Sequence, residues 1–104
     1  MCGIFAILNN SYDKDLVESS FQRGKDRGPE YSSIEFSSDS KTILGFHRLA
    51  INGYDDEKSN QPLKLNDCSL ICNGEIYNFK QLYKMCPHFK QKTKSDCEII
   101  IHMY

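Results

Sequence analysis

The sequence predicts an α+β domain, and three observations carry that prediction. Short apolar runs rich in Ile and Phe recur at residues 2–8 and 42–51, as strands require. Stretches at 13–23, 78–86 and 95–104 space their apolar residues for one face of a helix. Turn signals punctuate the chain, Gly28-Pro29 and Asn73-Gly74 above all. With 104 residues there is room for one small domain, residues 1–104. An apolar fraction of 39%, with six Phe and six Tyr, fills a modest core and excludes a disordered tail.

Taken in order, "CGIFAIL" at residues 2–8 reads as a buried strand, and Asn9 to Asp13 as a polar turn. Asp13 to Arg23 reads as a helix. Leu16, Val17 and Phe21 share its face, Ser20 lies between them, and Gly24 suits a C-terminal stop. "KDRGPEYSS" is a charged loop, because Gly28-Pro29 interrupts regular structure. Ser33 to Ser37 alternates, with Ile34 and Phe36 on one side. Asp39-Ser40-Lys41 then turns into a strand over Thr42 to Ile51, so the two form a hairpin.

"GYDDEKSN", Gly53 to Asn60, is an acidic loop expected to face water. Ser69 to Cys72 is a short strand ending at Asn73-Gly74. Asn78 opens a helix, with Gln81 three residues on as a capping partner. Phe79, Leu82, Tyr83 and Cys86 are its expected buried face, and Pro87 follows its end. Ser95-x-x-Glu98 is a second capping box, opening a helix through Cys97, Ile100, Ile101 and Tyr104. That helix carries no stop signal, so the chain is expected to end within an element.

Composition excludes several function classes. A net charge of −1 provides no field for nucleic acid or an anionic membrane. Lys80, Lys84, Lys90, Lys92 and Lys94 read as a solvated face, since no aromatic platform is interleaved for base stacking. No apolar run approaches the roughly 20 residues of a membrane span. The apolar start lacks a basic leader and stops at Asn9-Asn10, so it does not read as a signal peptide. Five cysteines, Cys2, Cys68, Cys72, Cys86 and Cys97, are an odd number without a compact spacing framework. Reduced thiols in the cytoplasm are expected. Zinc held by these cysteines, or with His88, fits poorly, because no pair has the two-residue spacing of structural sites. Buried apolar cysteines and no metal are expected instead.

Four elements carry chemistry, and each has a plainer reading. Cys2 directly follows Met1. Once Met1 is trimmed, the thiol and a free α-amine sit on one residue. An amine titrating near about 7.7–8.0 takes up the thiol proton, so the nucleophile brings its own base. Otherwise Cys2 is an ordinary strand cysteine. Asn73 and Gly74 offer a side-chain amide and a backbone N–H for a developing oxyanion, or merely end a strand. Arg48, in "HRLAI", either grips a carboxylate bidentately or forms a surface salt bridge. Asp96, at the first turn of the last helix, either binds an ammonium group or complements the helix dipole. Together the four suit one substrate type: an α-amino acid whose side-chain carbonyl is attacked.

In this order and spacing, Cys2-Gly3-Ile4-Phe5, "RGPE" at 27–30, "HRLAI" at 47–51, "NGEIYNF" at 73–79 and "SDCE" at 95–98 resemble one family. It is that of class II, N-terminal-nucleophile glutamine amidotransferases, and the wording of "NGEIYNF" is most similar to glutamine-dependent asparagine synthetases. The resemblance covers Cys2 to Tyr104. It implies a four-layer αββα sandwich of which this chain holds the first part, a partial type-2 amidotransferase domain. It implies hydrolysis of L-glutamine to glutamate and ammonia through a cysteinyl thioester. Cys2 would be the nucleophile, and Asn73 and Gly74 the oxyanion hole. Arg48 and Asp96 would hold the glutamine carboxylate and ammonium, with Leu49, Ala50, Ile51 and Glu75 lining the pocket.

Asp26 and Glu30 stand where the family usually has His and Asp in the loop motif, a change expected to alter how that loop supports the pocket. ATP and magnesium are implied only for a synthetase domain that this sequence does not contain, so no cofactor is expected here. The implied partner is a synthetase or acceptor domain supplied by another chain. The alternative is a catalytically inactive truncated fragment or an interaction module, with unpaired sheet edges available for strand addition.

Overall fold

A computed structural model of the chain describes residues 1–9, 11–39, 41–51 and 54–104. Its larger sheet has three antiparallel strands: β1 (Gly3–Ile7), β2 (Tyr31–Phe36) and β3 (Ile43–Arg48), in the order β1-β3-β2. β3 is therefore central: β2 pairs with its whole length and β1 with all of it but Arg48. The register sets Gly3 opposite His47, Phe5 opposite Gly45, and Tyr31 opposite Arg48. β2 and β3 form the expected hairpin, closed by a Ser37 N–H bond to the Thr42 carbonyl at 2.8 Å. Ser40, in the expected turn, lies outside the described residues, as does Gly53 at the start of the acidic loop.

The helix α1 (Lys14–Gln22) covers one face of this sheet. Asp13 caps it, its side chain accepting the Leu16 N–H at 2.9 Å. Val17 and Phe21, four residues apart, are the buried pair, while Leu16 is 62% exposed and does not share their face. Phe21 seats in the notch at Gly45, where a Cβ would stand 2.7 Å from its ring. It also stacks on the His47 ring at 4.0 Å and meets Phe5 edge-on at 5.9 Å. The helix does stop near Gly24, but not through a left-handed glycine, whose φ here is −86°. The glycine instead lets the His47 ring approach, 3.2 Å from where a Cβ would be.

His47 is buried and fully used by the scaffold. Its Nε2 donates to the Phe21 carbonyl at 2.8 Å, and its Nδ1 hydrogen-bonds the Ser32 hydroxyl at 2.7 Å. The other face of β1 is bare: Ile4 is 52% and Leu8 67% exposed. The expectation of a buried strand over residues 2–8 fails, because β1 is an edge strand under a single helix and alternates between half-buried and exposed residues.

The charged loop is shorter than expected. Lys25–Arg27 makes a 3-10 turn, and β2 already begins at Tyr31. Gly28 is required there, because a Cβ would collide with the His47 carbonyl and the Arg48 backbone. Pro29 pairs with Arg48 through an isolated bridge.

A second, two-stranded sheet pairs β4 (Leu63–Leu65) with β5 (Cys68–Leu70). Its turn holds Asn66 at φ 53°, and Asn tolerates this left-handed conformation well. Two helices follow, α2 (Phe79–Met85) and α3 (Glu98–Met103). Leu63, Leu65 and Ile101 form a small core against Cys68 and Leu70. On α2 the expected face of Phe79, Leu82, Tyr83 and Cys86 is turned inward but only half-buried. Among the described residues no helix is long and apolar enough to cross a membrane.

Neither capping box forms as expected. Asn78 precedes α2 without a side-chain cap bond. The Ser95 hydroxyl accepts from Cys97 N–H at 3.3 Å, a turn two residues long. Glu98 reaches back further, to the N–H groups of Lys92 at 2.8 Å and Thr93 at 2.6 Å, and pairs with His102 at 3.0 Å. Burial works to raise its carboxyl, but these hydrogen bonds outweigh burial and hold it below the usual carboxylate value. The acidic loop does more than face water. Asp55 pairs with the Lys94 ammonium at 2.9 Å, and Asp56 accepts the Lys94 N–H at 2.8 Å. Together they tie this loop to the approach of α3.

Candidate active site

The sheet, the β5–α2 connection and the start of α3 meet around one cleft of about 60 Å³. That is several times the space one water needs. Cys2, Arg48, Leu49, Ala50, Ile51, Gly74, Glu75 and Asp96 all line it. These eight come from four separated parts of the sequence.

Cys2 stands at the head of β1, one step before Gly3 pairs with His47. That register brings its sulfur to the chain leaving β3. The Leu49 N–H donates to Cys2 Sγ at 3.3 Å, and the thiol donates to the Leu49 carbonyl at 3.4 Å. The backbone nitrogen of Cys2 is in peptide linkage to Met1, itself 69% exposed.

Arg48, the last residue of β3, is only 7% exposed. Its Nη1 donates to Asn60 Oδ1 at 2.6 Å, which orients the guanidinium fork. The loop before β2 braces the same segment. Glu30 donates its N–H to the Arg48 carbonyl at 3.2 Å, and its carboxylate accepts the Ala50 N–H at 2.5 Å. Arg27 and Gly28 approach the same sheet, and of the two departures in this loop Glu30 is the one that contacts a cleft-lining residue.

Asp96 is 6% exposed and sits two residues before α3, not in its first turn. Its Oδ2 accepts the Ile76 N–H at 2.5 Å. Among the described residues Oδ1 has no protein partner. Asp96 therefore bridges the "NGEIYNF" segment and the head of α3, a place that a helix-dipole role alone does not explain.

Gly74 is exposed, and a Cβ there would meet only the Cys72 sulfur, at 3.9 Å. No protein atom requires a glycine at this point. Asn73 does not line the Arg48 cleft. It lines an adjacent cavity of about 290 Å³ that also opens onto Cys2, together with Gly3, Phe5, Phe21, Arg27 and His47. The expected oxyanion pair is thus split: Gly74 lines the first space, Asn73 the second, and Cys2 borders both.

Sequence reasoning missed six further lining residues: Phe46, Ser59, Gln61, Cys72, Ser95 and Cys97. Gln61 follows the acidic loop and precedes Pro62, where a polar residue reads as more loop. Cys72 and Cys97 each adjoin a motif residue, and that adjacency was the available signal. All five cysteines are free, and only Cys97 is fully buried. The expectation of buried cysteines therefore fails for the other four, which are half-buried. Burial pushes the Cys97 thiol well above its ordinary value, and neighbouring Cys72 and Asp96 push the same way.

The cleft places a thiol, a guanidinium and two carboxylates within one small space. A family model described as a glutamine amidotransferase domain matches residues 1–104. The chain belongs to the glutamine amidotransferase family. The amidotransferase chain is 40% identical over 111 aligned residues to the glutamine-hydrolyzing asparagine synthetase of Asparagus officinalis. It matches the nodule enzyme of Pisum sativum at the same 40% identity, and in both cases the whole chain covers 18% of the relative. With the Sandersonia aurantiaca enzyme the identity is again 40% and the covered share 20%. The amidotransferase chain thus spans about a fifth of the length of the curated relatives it matches.

Proposed function

We propose that this chain binds L-glutamine and hydrolyses it to glutamate and ammonia through a thioester on Cys2. The observation that carries the reading is the convergence of Cys2, Arg48, Gly74 and Asp96 on one cleft. Arg48 receives the substrate carboxylate in its fork, and Asp96 Oδ1 receives the ammonium. The side-chain amide then points toward Cys2.

Removal of the exposed Met1 frees the Cys2 amine. That amine takes the thiol proton, and the sulfur attacks the amide carbon. Charge develops on the amide oxygen, where the Gly74 N–H stabilises it from within the cleft, and the Asn73 side-chain amide joins it only by turning across Cys2 from the adjacent cavity. The intermediate collapses, the carbon–nitrogen bond breaks, and the amine returns its proton to the leaving ammonia. Water then attacks the thioester, releasing glutamate and restoring the thiol. Leu49, Ala50, Ile51 and Glu75 shape the pocket around the substrate chain.

In this reading the larger sheet and α1 are part of an αββα sandwich. The ammonia passes to a synthetase or acceptor domain on another chain, and ATP and magnesium belong to that domain. Five free thiols suit the reducing cytoplasm. Glutamate release from glutamine by the purified chain tests the reading, with Cys2→Ala as control. Equal release from both chains removes it.

The bare face of β1, with Ile4 and Leu8 exposed, favours a second reading as a non-catalytic interaction module. It predicts self-association without glutamate release, and a monodisperse monomer in solution counts against it.

A further inference from the structure

We propose that Gln61 is a positioning residue for the glutamine-hydrolysing turn, setting the peptide that leads into Asn73-Gly74. The proposal rests on the reading given above. Gln61 is 6% exposed, and its side-chain amide clamps one residue at two points. The Cys72 N–H donates to Gln61 Oε1 at 2.5 Å, and Gln61 Nε2 donates to the Cys72 carbonyl at 3.2 Å. β5 ends at Leu70, so Cys72 lies beyond the strand ladder. The Gln61 amide takes the place of a neighbouring strand there.

The geometry reaches the turn directly. The peptide group joining Cys72 to Asn73 is planar. A hydrogen bond to the Cys72 carbonyl therefore also sets the direction of the Asn73 N–H, one residue before the Gly74 N–H. The clamp is itself anchored, because the Gln61 carbonyl accepts the Ser33 hydroxyl of β2 at 2.5 Å. The residue before it, Asn60, holds the Arg48 guanidinium at 2.6 Å. Adjacent residues thus serve two halves of the site: Asn60 the carboxylate grip, and Gln61 the oxyanion turn.

A side-chain amide supplies both a donor and an acceptor in this fork, whereas an ionised carboxylate of the same size only accepts. Gln61→Glu keeps size and acceptor but loses the donor. Gln61→Met keeps the length and loses both. Glutamate release is measured for the Met1-trimmed chain and for Gln61→Glu, Gln61→Met and Asn60→Ala, with melting temperatures alongside. The expected result is a fall in kcat of about tenfold for Gln61→Glu and a larger fall for Gln61→Met, with KM within about twofold. Asn60→Ala raises KM severalfold and leaves kcat within about twofold. Should Gln61→Met fail to fold, the near-isosteric Gln61→Glu carries the test. Turnover by the parent chain with an unaltered kcat in Gln61→Glu overturns this assignment alone, as does a fall in kcat matched by an equal rise in KM. No release by the parent chain overturns the glutamine-hydrolysing reading and this assignment with it.

Discussion

The sulfur of Cys2 and the backbone of Leu49 are 47 residues apart in sequence and exchange two hydrogen bonds, at 3.3 and 3.4 Å. The antiparallel pairing of β1 with β3 produces this contact, since Gly3 opposite His47 leaves Cys2 beside the residues after Arg48. A strand register thereby seats the proposed nucleophile at the mouth of the cleft.

Because the Cys2 nitrogen is acylated by Met1, turnover is expected only after trimming. Intact mass separates the two forms, and glutamate release is then assayed for each. Release from a preparation that fully retains Met1 contradicts the self-base mechanism.

Arg48→Lys keeps the charge but loses the fork and its bond to Asn60. A charge-assisted hydrogen bond contributes about 1.5–3 kcal/mol, so KM for glutamine is expected to rise by about tenfold or more. An unchanged KM removes Arg48 from substrate binding.

Two glycines separate scaffold from site. Gly28→Ala drives a Cβ into the His47 and Arg48 backbone and is expected to destabilise the fold by about 1–3 kcal/mol or more. Gly74→Ala meets only the Cys72 sulfur at 3.9 Å, so its stability is expected to stay within about 0.5 kcal/mol. Its turnover falls, because the added methyl occupies the side from which substrate approaches. Urea titration and glutamate release on the same samples decide both.

Glu98 links stability to pH. Its carboxyl sits below the ordinary 4.5 in the folded state, so the unfolded chain binds the proton more tightly. The contribution is fully present above the unfolded value and disappears as pH falls through the folded one. Glu98→Gln, which weakens the bonds to Lys92, Thr93 and His102, is expected to cost about 1–3 kcal/mol at pH 7. The gap between parent and variant in urea unfolding narrows as pH drops below about 4.5. A gap that stays constant over this range refutes the assignment.

Cys97 is expected to alkylate last of the five cysteines in the folded chain, because burial holds its thiol protonated and covered. Mass spectrometry after timed iodoacetamide treatment at pH 8 reads the order. Denaturant abolishes the difference.

Much of the candidate site was legible because its chemistry lies in contiguous words. Cys2-Gly3, "HRLAI", "NGE" and "SDCE" each hold at least one residue of the cleft. The braces were not legible. Gln61 and Glu30 act on backbone groups and Asn60 on the Arg48 guanidinium, from 11 to 20 residues away, through side chains whose type is common in loops. Among the elements, α1 and the β2–β3 hairpin follow from apolar spacing and turn residues. β4 escaped because three residues, Leu63–Leu65, show too little alternation to count. The Asn66-Asp67 pair after it was the missed hairpin signal.

By itself the amino-acid sequence determined that strands and helices would mix, which segments carry reactive groups, and which family the motifs resemble. Local periodicity and residue chemistry are properties of neighbours, and a sequence displays neighbours. Only the tertiary structure decided that Cys2 meets Leu49, that Asn73 and Gly74 face different spaces, and that Glu98 anchors Lys92 and Thr93 instead of closing a capping box. Those outcomes depend on strand register and on which buried polar groups must find partners, and both are settled by segments far apart in the chain.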